Sequence, residues 1–318
     1  MPLLSRVGET FYWFGRYVER AENTARLILA YSNLALDLPR RSRLEWASMV
    51  DITGATELFA ESAHNPTELG VMRFMIADPD NPGSIRSSLK MARENLRVTR
   101  DRVPREVSEA MNALYAVMAD ESEGAIRRTA ARHAFLRNVI DHCQIVRGYL
   151  GGAMSHGLGY QFIRTGRMLE RADMTTRIMD VRMEALLPDE AELPAAFDAL
   201  QWMAVLRSLS AYQMYRREHH GPVKARYVID FLLNEEQFPR AVQSCVVQAY
   251  RCVSRLPRSE EPLATIRALL DKLQNLRSAV LSSDKQMLRI TMDDLQQDIH
   301  NMHNTIARTY FSLGAPEA

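Results

Sequence analysis

The chain of 318 residues has few cysteines, little lysine and almost no net charge. Its three cysteines, Cys143, Cys245 and Cys252, are sparse and odd in number, which argues against a disulfide framework and indicates a reducing compartment. No Cys-x-x-Cys pair occurs. The net charge of +1 gives no electrostatic signature for nucleic acid or for an anionic membrane surface. These absences predict a cytoplasmic protein that binds neither nucleic acid nor membrane.

Long hydrophobic runs are also missing. No stretch approaches the roughly 18 consecutive apolar residues of a membrane-spanning helix. Arg6, Glu9 and Arg16 lie near the beginning of the chain, so no signal-peptide core is expected there. The glycine motifs of phosphate loops, dinucleotide-binding folds and nucleophile elbows are absent as well, and we predict no cofactor.

Candidate metal ligands are sparse. The densest group is His300 and His303, with Asp294 and Asp298 nearby, on a stretch rich in Asp, Gln and Asn. Helical spacing allows the two histidines to share a face. Because the surrounding residues are polar, we predict a solvated helix face here and no metal.

The residues that are present favour a helical protein. Apolar residues make up 47% of the chain and charged residues 25%, as in folded globular proteins. Apolar residues recur with helical periodicity, and no alternating strand pattern bounded by turn residues appears, which predicts an all-α fold. The basic residues are almost all arginine, the lysines being Lys90, Lys224, Lys272 and Lys285. Genomic base composition is one explanation; the other is that arginine suits partly buried ion pairs and bidentate carboxylate or phosphate contacts.

Turn and capping residues divide the chain into predicted helices. Ser84 is a good N-cap, Asn65-Pro66-Thr67 caps another helix, and Pro104 suits a first turn. The predicted helices run over about residues 5–37, 84–102, 121–150, 202–219, 224–234, 239–255, 262–282 and 284–312. Two further helices are predicted to end near residues 63 and 187.

The strongest pattern is a repeated segment. Residues 15–26 read Gly-Arg-Tyr-Val-Glu-Arg-Ala-Glu-Asn-Thr-Ala-Arg, and residues 166–177 read Gly-Arg-Met-Leu-Glu-Arg-Ala-Asp-Met-Thr-Thr-Arg. Seven of the twelve positions are identical at a constant offset of 151. Later pairs follow in the same order, namely Glu45-Trp46 with Gln201-Trp202, Phe74-Met75-Ile76 with Phe231-Leu232-Leu233, and Pro82 with Pro239. We therefore predict two tandem, pseudo-symmetric helical-bundle copies, 1–155 and 156–318, packed as one body.

The first copy of the repeated helix has two faces at ~100° per residue. The predicted core face consists of Phe14, Val18, Ala21, Ala25 and Ile28. The opposite stripe consists of Tyr12, Arg16, Glu19, Arg20 and Asn23. Local ion pairs are available between Arg16 and Glu19 and between Glu22 and Arg26, and Asp173 faces Arg177 in the second copy.

Three interpretations of the charged stripes stay open. The first is a solvated face with surface ion pairs, each contributing roughly 0–1 kcal/mol. The second is a buried seam in which the arginines of one copy clasp the glutamate of the other. The third is a pocket in which arginines bind a carboxylate or phosphate and the glutamates orient them. The candidate binding residues are Arg16, Glu19, Arg20, Asn23, Arg26, Arg167, Glu170, Arg171 and Arg177.

A second basic patch recurs along the predicted helix 84–102. Its candidate residues are Arg93, Glu94 and Arg97, with Glu94 and Arg97 at i,i+3. A solvent-facing helix with local ion pairs explains this pattern. The alternative is a docking surface for an acidic partner.

These segments resemble a known family. Leu4-Ser5-Arg6-Val7, Tyr12-Trp13 and Gly15-Arg16-Tyr17, followed by residues 19–26, resemble the opening signature of the bacterial alpha-E family. Glu170-Arg171-Ala172-Asp173 is similar to its second copy, and Asn81-Pro82-Gly83-Ser84-Ile85 and Phe238-Pro239-Arg240 resemble its later segments. The resemblance covers nearly the whole chain. It implies an all-helical domain of unknown function whose Glu-Arg motif occurs in tandem.

The resemblance also implies a cellular context. Such proteins are expected to act beside a circularly permuted ATP-grasp ligase-like protein, a transglutaminase-like protein and an amidohydrolase-type peptidase in peptide synthesis or modification. Our leading hypothesis is a non-catalytic accessory protein that binds an anionic group or partner through its Glu-Arg motifs. One alternative is an enzyme of that system with Glu19 or Glu170 as acid or base. Another is a structural scaffold whose motif holds the two copies in register.

Overall fold

A computed structural model describes residues 5–37, 45–180 and 195–311. These residues form α-helices, one short 3₁₀ helix at Arg100–Arg102 and no strand, which confirms the predicted all-α fold. The helices up to residue 153 are α1 (Ser5–Asp37), α2 (Ser48–Thr53), α3 (Thr56–Glu61), α4 (Glu68–Ile76), α5 (Ile85–Val98), α6 (Arg105–Arg127) and α7 (Thr129–Ala153). The later helices are α8 (Leu158–Asp180), α9 (Ala195–Ser208), α10 (Tyr212–Glu218), α11 (Ala225–Asn234), α12 (Val242–Val253), α13 (Glu260–Asn275), α14 (Ser278–Ser283) and α15 (Lys285–Tyr310). None of the helices in these ranges is long and apolar enough to span a bilayer.

Helix starts follow the capping residues of the sequence. The Ser84 side chain accepts a hydrogen bond from the backbone N–H of Ser87 at 3.1 Å, so Ser84 caps α5 as predicted. Thr67 caps α4 in the same way. Asp284 caps α15 by accepting from the N–H of Met287 at 2.9 Å. Side-chain oxygens thus satisfy backbone donors that the first turn of a helix leaves free.

Several predicted helices are interrupted. The helix predicted over 121–150 is wrong, because extended backbone at Arg128 separates α6 from α7. The helix predicted over 202–219 breaks at Ser210, whose φ of 53° is left-handed. The helix predicted over 262–282 breaks at Leu276. The backbone is extended there, although the sequence has no glycine or proline at that point. The predicted end near residue 187 lies outside the described residues.

Two long helices form the centre of the molecule. α1 packs against α5, α7 and α8, while α8 packs against α1, α12 and α15. Each central helix is therefore covered by neighbours, and its polar positions are buried together with its apolar ones. Tyr12, Glu19 and Asn23, on the stripe opposite the predicted core face, are as buried as Val18 and Ala21 on that face. Burial on both faces is expected of a helix enclosed by others.

Glycines allow the two central helices to touch. A Cβ added at Gly15 of α1 would lie 2.1 Å from the carbonyl oxygen of Ile163. A Cβ added at Gly166 of α8 would lie 2.1 Å from the carbonyl oxygen of Tyr12. Only residues without a side chain fit this crossing, so the glycine of the repeated segment sets the distance at which its arginines and glutamates meet.

Candidate functional site

The first ionic group of the crossing is the open cluster, which consists of Arg16, Arg20 and Glu170. Arg16 donates its Nε–H to Oε2 of Glu170 at 2.6 Å, and Arg20 donates its Nε–H to Oε1 at 2.5 Å. A third hydrogen bond joins Nη2 of Arg20 to Oε2 of Glu170 at 3.1 Å. One buried carboxylate of α8 thus holds two guanidinium groups of α1.

Glu170 is a strongly stabilised anion. Burial by itself raises the pKa of this carboxyl, but the charges and hydrogen bonds of Arg20 and Arg16 together lower it to about 2. Its side chain is only 4% exposed, whereas those of Arg16 and Arg20 are 11% and 23% exposed. The guanidinium groups are therefore more exposed to solvent than the carboxylate behind them.

The second ionic group is the closed cluster, which consists of Glu19, Glu22, Arg147, Arg171 and Arg240. Arg171 of α8 binds Glu19 of α1 in a bidentate manner, with two hydrogen bonds of 2.8 Å. Nη1 of Arg240 donates to Oε1 of Glu19 at 3.0 Å, and Nη1 of Arg147 donates to Oε2 at 3.2 Å. Glu19 thus receives arginines from three separate parts of the chain.

Glu22 extends the closed cluster. Its carboxylate accepts from Nη2 of Arg240 at 2.7 Å and from the Gln144 amide at 2.8 Å, and Arg147 approaches it to 2.7 Å. The i,i+4 pair of Arg26 with Glu22, available from the sequence, is present at 2.8 Å. Both carboxylate side chains are fully buried, at 0% exposure. Water is therefore excluded from the anions of this cluster.

The electrostatics of the closed cluster are unusual because arginines outnumber carboxylates. Burial raises the pKa of the Glu19 carboxyl, but Arg171, Arg240 and Arg147 lower it well below its usual range. Burial lowers the pKa of Arg240 to about 10; Glu19 opposes this shift and Arg171 adds to it. The excess positive charge makes the carboxylates essential to the packing of these arginines.

Arg167 is a candidate residue that binds the carboxylate of neither cluster. Its Nε is buried without a hydrogen-bond partner among the described residues. Burial lowers its pKa to about 10, and the charge of Arg171 contributes to the shift. At the corresponding place in the repeated segment, Arg16 does bind a carboxylate, so the two segments differ here.

A large cavity adjoins the open cluster. Its volume is about 820 Å³, and Arg16, Arg20 and Glu170 contribute to its wall. Asp173 and Arg177, paired at 2.8 Å as expected from their i,i+4 spacing, line it as well. The cavity therefore presents charges of both signs to solvent beside an aromatic edge formed by Trp13 and the histidines of α15.

His303 corrects a prediction. A solvated face was expected, but His303 is partly buried against α1, and its Nδ1 lies 2.9 Å from the hydroxyl of Tyr12. Arg16 donates from Nη1 to that hydroxyl at 3.1 Å, which leaves the tyrosine proton for the imidazole. Burial, Arg16 and His300 lower the pKa of His303 to about 4, so the ring is neutral at pH 7. The prediction failed for His303 because α15 packs this residue against the central helices, whereas His300 and Asp294 are exposed as predicted.

Asn23 and Arg26, two further candidate residues, also make contacts within the structure. Asn23 accepts a hydrogen bond from Nη1 of Arg240 at 2.7 Å, so it lies beside the closed cluster rather than at the cavity. The local pair available between Arg16 and Glu19 is not made, because each residue binds the opposite helix instead. Arg26 also hydrogen-bonds the Ser210 hydroxyl.

The second basic patch lies on the surface of α5. Glu94 and Arg97 form an ion pair of 2.8 Å with side chains 42% and 69% exposed. Arg93 donates to Asn112 of α6 and lies over the Tyr115 ring at 5.1 Å. The contacts fit a solvent-facing helix with local ion pairs.

Sequence reasoning missed Arg240, Arg147 and Gln144. All three contact α1 from more than a hundred positions away in sequence. A local signal existed only for Arg240, which follows Pro239, the counterpart of Pro82 in the repeat. Nothing in the α7 segment distinguishes Arg147 from its other arginines.

The fold and site define an all-helical protein whose two central helices are joined by buried Glu-Arg clusters, one of them beside an open cavity. The chain belongs to the Alpha-E family, a predicted alpha-helical domain with a conserved ER motif, whose profile matches residues 3–311. This confirms the family expected from the sequence.

The chain is also similar to uncharacterised proteins of Mycobacterium bovis and Mycobacterium tuberculosis. The similarity is 24% identity over 254 residues, which covers 74% of this chain. It covers 28% of each relative, so this chain corresponds to only part of those proteins. No solved structure matches the chain significantly.

Proposed function

We propose that the chain is a ligand-binding accessory protein whose cavity binds an anionic group through Arg16 and Arg20. The observation that carries this proposal is the geometry of the open cluster. The buried Glu170 carboxylate fixes both guanidinium groups from behind, and both groups line a cavity of about 820 Å³. Two pre-oriented guanidinium groups at a cavity wall suit a carboxylate or phosphate, because each can donate parallel hydrogen bonds to it.

The geometry of the closed cluster supports a different role for its Glu-Arg pairs. Glu19 and Glu22 are fully buried, and both are paired with arginines of the same chain. We propose that this cluster is the structural seam, which fixes the register of α1 against α8. The scaffold and binding interpretations then apply to different clusters of the same molecule.

An enzymatic role for the motif carboxylates is the alternative proposal. A general base works best when its pKa lies near the working pH. The pKa of Glu170 is lowered to about 2, and that of Glu19 is also lowered. These shifts favour binding over proton transfer by either carboxylate.

We further propose that the chain consists of two tandem, pseudo-symmetric copies, 1–155 and 156–318. The order of the helices supports this proposal. The first residues of α4 and α11, Glu68 and Ala225, are separated by 157 positions, as are Pro82 and Pro239. The reciprocal contacts of Gly15 with Ile163 and of Gly166 with Tyr12 follow the offset of 151.

The cellular context remains a proposal based on the family resemblance. We propose a cytoplasmic protein that serves a peptide synthesis or modification system, with an ATP-grasp ligase-like protein and a transglutaminase-like protein as partners. Three free, buried cysteines fit a reducing compartment. A peptide carboxylate is a ligand that such a system would present to the open cluster.

Calorimetric titration tests the anion site. The probes are N-acetyl-alanyl-alanine, its carboxyl-terminal amide and inorganic phosphate. We expect the acid or phosphate to bind, and Arg20→Gln to weaken binding about tenfold or more, because hydrogen bonds to charged groups contribute about 1.5–3 kcal/mol. Arg97→Gln on the exposed face of α5 is the matched control and should bind like the wild type. Equal binding of acid and amide, or no binding of any probe, would contradict the proposal.

A further inference from the structure

The two clusters differ at one turn position. Residues 81–84 and 238–241 form the same turn, in which the fourth N–H donates to the first carbonyl oxygen at 3.1 and 3.0 Å. Each turn ends in an extended capping residue, and the next residue begins α5 or α12. Gly83 and Arg240 therefore occupy corresponding positions of the two halves.

The side chain of Arg240 extends from its turn into the closed cluster. Its guanidinium donates to Glu19 at 3.0 Å and to Asn23 at 2.7 Å through Nη1, and to Glu22 at 2.7 Å through Nη2. Glu19 and Glu22 are three positions apart on α1, so their side chains lie on one face of the helix. The chain thus supplies a guanidinium group that bridges two carboxylates.

Gly83 has no side chain that could extend into the corresponding place beside the open cluster. It lines the cavity together with Glu170 and Asp173, which correspond to Glu19 and Glu22 at the offset of 151. Among the described residues, a Cβ added at Gly83 would meet within 4 Å only the side-chain oxygen of Asn81, at 3.2 Å. The space into which Arg240 extends in one half is therefore open in the other.

The carboxylates facing this space have capacity for another donor. A carboxylate can accept about four hydrogen bonds. Glu19 accepts four, from Arg171, Arg147 and Arg240, whereas Glu170 accepts three from the described residues. The missing bond of Glu170 corresponds to the one that Arg240 gives to Glu19.

We propose that the cavity holds a guanidinium group of its ligand between Glu170 and Asp173, in the place that corresponds to the Arg240 guanidinium. This inference rests on the proposed function, since it concerns the ligand of the same cavity. Together with an anionic group at Arg16 and Arg20, it defines a zwitterionic ligand. A basic amino acid, or a basic residue at the carboxyl end of a peptide, belongs to this class.

Matched ligands test the cationic subsite by calorimetry on the full chain. L-Arginine carries a carboxylate and a guanidinium, L-citrulline keeps the carboxylate and the α-ammonium but has a neutral urea group of similar shape in place of the guanidinium, and agmatine lacks the carboxylate. We expect L-arginine to bind at least about tenfold more tightly than L-citrulline, the preference that one charge-assisted hydrogen bond provides. Equal affinities, or no binding of L-arginine and agmatine, would overturn the inference.

Substitutions locate the subsite. Gly83→Arg should abolish L-arginine binding by filling the space, whereas Gly221→Arg, at an exposed glycine whose added Cβ has no atom of the described residues within 4 Å, should not. Asp173→Asn should remove most of the preference for L-arginine over L-citrulline while N-acetyl-alanyl-alanine still binds. Retained L-arginine binding in a folded Gly83→Arg protein would also overturn the inference.

The two proposals fail in distinguishable ways. If N-acetyl-alanyl-alanine binds and L-arginine shows no preference over L-citrulline, the anion site stands and the cationic subsite is wrong. If agmatine binds and neither carboxylate nor phosphate does, the cationic subsite stands and the anion site is wrong.

Discussion

The open and closed clusters are built from the same short motif, yet they offer different chemistry. In the open cluster, two arginines of α1 share one carboxylate of α8 and line a cavity. In the closed cluster, Glu19 of α1 receives Arg171 from α8, and Arg240 and Arg147 complete its shell. The first cluster keeps guanidinium groups at a wall that ligands can reach, and the second uses them internally.

This difference shows that the Glu-Arg motif alone does not determine whether its cluster is open or closed. Gly83 and Arg240 occupy the same turn position, and the larger residue closes the site that the smaller one leaves open. His303 contributes a neutral ring near the open cluster, whereas Arg147 of α7 brings a charge to the closed one. We therefore propose that the neighbours of a Glu-Arg pair decide whether it binds a ligand or stabilises the fold.

The largest expected effect is the loss of the Glu19 carboxylate. Glu19→Gln leaves buried arginines without their counter-charge, and removing one partner of a buried ion pair costs about 3–5 kcal/mol. Urea unfolding measures the free energy. Glu170→Gln is the matched comparison and should cost clearly less, because water in the cavity can hydrate Arg16 and Arg20. Equal losses would contradict the distinction between a closed and an open cluster.

The crossing of α1 and α8 gives the next largest effect. Gly15→Ala and Gly166→Ala each place a Cβ 2.1 Å from a backbone carbonyl oxygen, and overpacking typically costs about 1–3 kcal/mol. Thermal and urea unfolding should show similar losses for both, since the contacts are reciprocal. Gly148→Ala, an exposed position in α7 with no atom near the added Cβ, should instead stabilise by about 0.5–1 kcal/mol. A loss at only one crossing glycine would show that the two halves do not share one geometry.

Acid sensitivity separates His303 from the motif carboxylates. The folded-state pKa of His303 is about 4, below its ordinary 6.5, so the folded protein binds fewer protons and loses stability as pH falls from 6.5 towards 4. Glu170, with its pKa lowered from 4.5 to about 2, contributes stability above pH 4.5 that is lost as pH falls towards 2.

NMR titration measures the imidazole directly. We expect Arg16→Gln to raise the pKa of His303, because it removes a neighbouring positive charge. His303→Gln should remove its contribution to the upper pH window and leave the lower one. A His303 pKa near 6.5 in the wild type would mean that the ring is solvated, as the sequence suggested.

The smallest effect is expected on the surface of α5. Glu94 and Arg97 form an exposed pair at i,i+3 that resembles the motif in sequence but lacks burial. Exposed pairs contribute little because water screens them. Glu94→Gln should leave the melting temperature unchanged; a large drop would mean that exposure is not what distinguishes this pair from the two clusters.

Local patterns predicted much of the fold. The first helix, predicted from Ser5 to about Asp37, is α1, and Ser84 and Thr67 cap the helices assigned to them. Breaks without a local signal were missed, as at Leu276. Capping and periodicity act within a few residues, and an interruption imposed by packing leaves no such trace.

The candidate site was only partly predictable. The repeated segment identified Arg16, Arg20, Glu170, Glu19 and Arg171, all of which lie in the clusters. It also included Arg167, which binds neither carboxylate, and it missed Arg147, Arg240 and the inward-facing His303. Sequence spacing fixes which side chains share a helix face, but not which distant chain segment covers that face.

The sequence by itself determined that the chain is helical, that two of its helices carry the same charged stripe, and that a glycine stands in each. The tertiary structure decided which arginine binds which carboxylate and which cluster stays open. The physical reason is the distance along the chain over which each interaction acts. Helix periodicity and capping depend on neighbours within about four residues, whereas ion pairing and burial depend on ångström-scale distances between residues such as Glu19 and Arg240, 221 positions apart.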